Sequence, residues 1–502
     1  MRITLDIPPG LLADETSFSA TGRWADGSNV RFWQGRAQVV GGWERLMDPA
    51  LGGICRTVFG WTDKASLLNL AFGTHKGVQV WRGGGLYDVT PAGLLPGLVD
   101  GTGGQGFGTG AWSVGAFSEP SSGDYFPRTW SLAAWGEVLL ASPRGGGVYA
   151  WSNQPGTPAA TLSNAPGQVT HMLVAPTDQV FALGCNEEAS GAFNPLCLRH
   201  SSIRKMTEWT TGPATTAREY VLPGGGRIVA GRVLGSYLLI WTTHALFLGT
   251  YVGSPTQPWR FDRVGLNCGL IGPNAAVVVG SFAYWLGQDL QVYRYGAGGA
   301  PEAVACPVRD DLVDNLAPSQ GDKVVASSVS VFSEIRFDYP DERDGLENSR
   351  YLAMSLVDGA WSRGQMARSA RVDAGPALFP IGVSPQGVAY YHERGESADG
   401  SPFSWFIESA DQYLDEDRTA LVRGVWPDLA DQAGPVSLTV ISRMFPQDEA
   451  RVWGPVALAP GASRADLRTT GRLFRVRLSG GSSPTACRIG RPVFDMVPAG
   501  LR

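Results

Sequence analysis

Apolar and polar residues alternate along this chain in short bursts, and the bursts come in pairs. Residues 66–72 are followed by 77–81, 137–141 by 147–151, 179–183 by 196–200, and 237–241 by 245–251. The pattern continues at 282–286 with 290–295, 334–339 with 350–356, and 387–391 with 403–407. Alternation with a period of two over so few residues marks half-buried strands, and the small and turn-forming residues between bursts read as hairpin connections. The pairs recur roughly every 40 to 70 residues, near the period of a propeller blade. One four-stranded sheet cannot cover both of its faces, so repeated sheets must stack on one another.

This pattern predicts an all-β chain: a β-propeller of six or seven blades over residues 51–416, with an N-terminal hairpin or arm at 1–50. A Gly-rich inserted loop is expected at 96–127, and a small β-sandwich-like domain at 417–502, built on strands near 435–442, 473–478 and 486–490. The same alternation also fits a β-sandwich or several small β domains. The one good helix candidate is short, at 310–316.

Composition narrows the classes. The 66 Gly and 34 Pro among 502 residues would break helices throughout, and 43% hydrophobic content is too high for a disordered chain. A net charge of −5 argues against a basic nucleic-acid binder. Asp6 and Pro8 interrupt the N-terminal apolar run, so no secretory signal is expected. The uncharged stretch 264–288 contains Asn267, Pro273, Asn274 and Gly280 and reads as two strands, so no membrane insertion is expected.

Charge is uneven. Eight acids against Arg394 alone fall within 393–417, whereas 451–502 carries nine Arg against two Asp. Two such segments suit either opposed surfaces of neighbouring copies or two solvated faces.

The search for chemistry finds little. The Gly-rich run at 101–110 lacks the Lys-Ser/Thr of a phosphate loop, and no G-x-S-x-G elbow occurs. Asp124, Glu334 and Asp338 have no spacing that marks a catalytic pair. Trp81, Trp151, Trp241 and Trp285 fall at or near strand ends, where packing between sheets explains them better than a ligand platform. The six Cys and five His are scattered. Buried thiols are expected, with Cys185 and Cys197 facing across one hairpin, and neither a metal nor a cofactor site. The chain is therefore read as a non-enzyme.

Ahead of the repeats lies the most distinctive segment. Strand 29–33, a turn at Gln34 and Gly35, and strand 36–40 form a predicted hairpin that Gly41, Gly42 and Trp43 terminate. The residues Gly22, Arg23, Trp24, Asp26, Asn29, Val30, Arg31, Phe32, Gly35, Val40, Gly41, Gly42 and Trp43 resemble the opening of tail hub, or nozzle, proteins of short-tailed bacteriophages. The far end, at 471–478, 487–490 and 495–500, looks similar to that family too.

The resemblance implies a structural virion protein: a nozzle subunit in a homo-oligomeric ring, usually a hexamer, assembled in the host cytoplasm and located in the tail. Such a ring continues the head-to-tail channel, retains packaged DNA and lets it pass without sequence preference. Its implied partners are the head-to-tail adaptor, a tail plug or needle, and fibres or spikes. Trp24, Arg31, Trp33 and Trp43 are expected to order the hairpin, and Arg472, Arg475 and Arg477 to contact neighbouring subunits or form an exposed strand face. A carbohydrate-active propeller, such as a virion depolymerase or glycosidase, and a cellular propeller scaffold are the alternatives.

Overall fold

The computed structural model describes residues 1–16, 19–102, 126–415 and 418–500; most of the expected Gly-rich loop therefore lies outside the described residues. Among these residues the strands form ten antiparallel sheets, nine of four strands and one of six.

Six sheets are consecutive meanders. Their first strands are Cys55–Thr62, Trp130–Trp135, Val169–Ala175, Ile228–Leu234, Ala276–Val279 and Val325–Val329. In each, the second and third strands are the hairpin that the alternation picks out, as in Tyr237–Thr242 with Ala245–Tyr251. A seventh sheet joins Ala370–Val372, Ile381–Val383 and Ala389–His392 to the early strand Trp43–Arg45. The seventh expected hairpin does not form. Ala389–His392 pairs with Trp43–Arg45, while Trp405–Ser409 leaves to pair with Trp24–Ser28 and Leu473–Gly480.

The remaining sheets combine the two ends of the chain. Arg2–Thr4 pairs with Val493–Gly500, and Arg36–Val39 pairs with Ala486–Ile489. The six-stranded sheet runs Trp24–Ser28, Trp405–Ser409, Leu473–Gly480, Val436–Arg443, Arg451–Leu458, with Gln412–Tyr413 also on Leu473–Gly480. The helix Asp310–Asn315 is short, as expected.

The fold class expected from the sequence, a six- or seven-bladed β-propeller with a small C-terminal β-sandwich-like domain, is corrected here. The hydrogen-bonded ladders form ten separate sheets, and none continues into the next or closes on itself. Alternation reports which strands are half-buried and says nothing about whether neighbouring ladders join.

Side-chain packing between the sheets does the joining. One apolar cluster draws on the third and fourth meanders, including Phe181, Leu183, Ile240 and Trp259. Others draw on the first and second, the second and third, and the seventh and first sheets. Trp151 is fully buried between the first and second sheets, Trp241 and Trp285 are fully buried in the largest cluster, where they meet edge-on at 5.5 Å between ring centres, and Trp81 is half-buried against the cluster of the seventh and first sheets. Each large ring removes about 150–250 Å² of surface from water, which makes the fully buried tryptophans core rather than platform. The first strands of successive sheets lie side by side, and Ala370–Val372 lies beside Cys55–Thr62.

Candidate functional site

The first strands of the six meanders and of the seventh sheet converge on one cavity of about 480 Å³. Its walls are largely aliphatic, with Val58, Leu132, Met172, Val233, Val277 and Val325 among them. Set into these walls are Arg56, Ser131, His171, Arg232, Asn274, Ser327, Arg371 and Asp373.

Local sequence explains how Arg232 comes to be there. It follows Gly231, whose missing side chain lets the fourth sheet approach the third; a Cβ at Gly231 would lie 2.5 Å from Leu173 Cδ2. With the sheets this close, the Arg232 Nη1 donates to His171 Nε2 at 3.3 Å and to the Gly231 carbonyl at 2.9 Å. Its Nε donates to the Ala276 carbonyl at 3.3 Å and its Nη2 to the Pro273 carbonyl at 2.8 Å. Every acceptor is neutral. Burial alone lowers Arg232 from the ordinary arginine value to about 10.

His171 is neutral for the same reason. Burial, and then the charge of Arg232, hold it well below the usual imidazole value. Its Nδ1 lies 3.0 Å from Ser131 Oγ and its Nε2 3.3 Å from Arg232 Nη1, so both ring nitrogens are engaged by neighbours.

The other cations have acidic partners. Arg56 makes two bonds to Glu347, at 2.5 and 2.7 Å, and Arg371 Nε lies 2.8 Å from Asp338. Asn274 Nδ2 donates to the Arg56 carbonyl at 2.9 Å, which links the fifth sheet to the first. Asp373 is held by Ser328 Oγ at 2.7 Å and by the Ser330 backbone N–H. Ser327 Oγ is buried without a hydrogen-bond partner among the described residues.

The residues singled out from the sequence lie elsewhere. Trp24 is buried in the largest apolar cluster. Arg31, at 1% exposure, bridges Glu334 and Glu393 and stacks 3.9 Å from the Phe332 ring, against which Trp33 also packs edge-on. Trp43 packs against His392 and Phe403. These four tie the N-terminal strands to the rest of the molecule, away from the cavity lining. Arg475 pairs with Asp411 and Glu408, and Arg477 pairs with Glu408, so the acidic and basic segments meet within one chain. Arg472 lies over the Phe445 ring. Of the three candidate acids, Glu334 and Asp338 are ion-paired with Arg31, Arg336 and Arg371, and Asp124 lies outside the described residues.

Cavity residues escaped the sequence reading because they come from the first strand of each sheet, whereas the alternating hairpins are the second and third. The available signal was a charged or imidazole side chain inside a short apolar strand, as at His171 in Val169–Ala175 and Arg232 in Ile228–Leu234.

Among the described residues, no group of three or more His, Cys, Asp or Glu is placed to hold a metal, and no helix is long and apolar enough to cross a membrane.

No protein-family model matches the chain. No curated protein matches it. Among solved structures, the crystal structure of the computationally designed Ika8 protein aligns over 70% of this chain and 100% of its own, at 12% identity and a TM-score of 0.38. A likeness of that size carries no argument.

The tail-nozzle function is therefore corrected as well. It rested on a family resemblance at the two ends and on a propeller between them; no family model or curated relative supports the first, and separate sheets replace the second. The viral-tail, tail-hub and propeller descriptions fall with it, as do the carbohydrate-active propeller and the cellular propeller scaffold.

Proposed function

We propose that this protein is a non-catalytic binding protein that takes a small molecule into the cavity between its seven first strands. The observation that carries this reading is the convergence of all seven on one space of about 480 Å³ with aliphatic walls and a few placed polar groups. Small-molecule sites are typically about 300–1,000 Å³ and are built in this way. Arg56 and Arg371 are held by Glu347 and Asp338, and the one imidazole is engaged at both ring nitrogens, which favours binding over turnover.

A ligand-observed NMR screen of a small-molecule set tests the reading. Hits are expected to compete with one another, to be recovered unchanged, and to be lost in Val277→Phe, which fills the cavity. Hits unaffected by Val277→Phe, or chemically converted by the protein, would refute it.

A second reading, self-association, rests on a separate observation. Arg451–Leu458 ends the six-stranded sheet with one edge unpaired among the described residues, and Val452 on it is 62% exposed. Open edges offer unpaired backbone groups to another copy. Light scattering is expected to show an oligomer that Val452→Lys dissociates; a monomer at all concentrations would exclude it.

A further inference from the structure

We infer that the ligand of this cavity is a carboxylate on a compact apolar body, with its anionic end at Arg232. This rests on the binding reading above and names the ligand class. Arg232 is half-buried, and a cation withdrawn from water is costly unless an anion accompanies it. Arg56 and Arg371 in the same lining have Glu347 and Asp338 as partners. Arg232 has none: among the described residues no carboxylate lies within ion-pair distance of it, and its four bonds go to three carbonyls and a neutral imidazole.

A guanidinium carries five N–H groups. Four are used, which leaves one hydrogen on Nη2 for a ligand. Arg232 shares its cavity with walls that are otherwise largely aliphatic. Phosphate would need more donors than this and would gain nothing from the apolar walls. A carboxylate with a short hydrocarbon or aromatic body satisfies both. The lining carboxylate, Asp373, is occupied by Ser328 and Ser330, and it marks a part of the wall that an anion would avoid.

Calorimetry on the full chain tests this with hexanoate, phenylacetate, hexanol and inorganic phosphate, on wild type and Arg232→Met. The carboxylates are expected to bind at least tenfold tighter than hexanol, and Arg232→Met to remove that preference. Thermal unfolding of Arg232→Met controls for folding; losing a half-buried charge without an acidic partner should leave its midpoint unchanged or raised. Hexanol binding as well as hexanoate, phosphate binding tighter than either, or an unchanged preference in Arg232→Met would overturn the carboxylate while leaving a cavity binder. Binding of no small molecule, in the screen or here, would overturn both.

Discussion

Arg31 serves two carboxylates at once: its Nε lies 3.2 Å from Glu334 and its Nη2 2.5 Å from Glu393, with about 1% of the side chain exposed. Removing one member of a buried ion pair leaves the other uncompensated, at a cost of about 3–5 kcal/mol. Arg31→Met is expected to lose that much, read from the urea midpoint at constant slope. Burial pushes the Glu393 carboxyl up, but Arg31 outweighs it and holds the group below its usual value. Asp63 is lowered to about 2, chiefly by Arg82. A depressed carboxyl stabilises the fold above its unfolded value, about 4 for these groups, and loses that contribution as pH falls through the folded value. Stability should therefore hold from neutrality to about pH 4 and decline below it. Asp14 and Asp338 shift upward through burial and act in the opposite sense. Denaturant unfolding of wild type and Glu393→Gln across about pH 2–7 isolates Glu393, whose variant should show the shallower acid slope.

Among the elements, the N-terminal hairpin pairs Val30–Trp33 with Arg36–Val39 through a two-residue turn in which Gln34 has φ 52° and Gly35 φ 74°. Both positions are left-handed, which Gly and Asn tolerate and Gln does not favour. Gln34→Asn is expected to stabilise the protein by up to about 1 kcal/mol in the same unfolding assay. Cys185 and Cys197 do face each other across the strands Gln179–Asn186 and Phe193–His200, as free thiols with sulfurs 3.9 Å apart. Five of the six cysteines are buried and Cys306 is half-buried, so a thiol reagent should label at most Cys306 in the native state and all six after unfolding. Six hairpins were legible because their alternation is local. The pair at 387–391 and 403–407 looked identical in sequence, yet its two halves belong to different sheets. Local pattern cannot distinguish a hairpin from two strands whose partners are hundreds of residues away.

For the whole molecule, the first 45 residues matter out of proportion to their length. They supply strands to four sheets, meeting Val493–Gly500, Trp405–Ser409, Ala486–Ile489 and Ala389–His392. Deleting residues 1–45 removes one strand from three of these sheets and two from the sheet of Ala486–Ile489, and exposes the apolar surface beneath Trp24 and Phe32. The truncated chain is expected to be insoluble, or to lack a cooperative thermal transition by circular dichroism. Full solubility with an unchanged midpoint would show that these strands are dispensable.

That this is a β protein, where six of its hairpins lie, that Trp151, Trp241 and Trp285 are core, and that the helix at 310–315 is brief all follow from the order of residues in the chain. Periodicity, turn residues and side-chain size set those properties, and each acts over a few positions. Three other properties come from the folded arrangement: the ladders remain ten separate sheets, the acidic and basic segments meet within the chain, and His171 and Arg232 share a cavity. Such pairings depend on which apolar faces cover one another across long stretches of chain, and no local pattern encodes that choice.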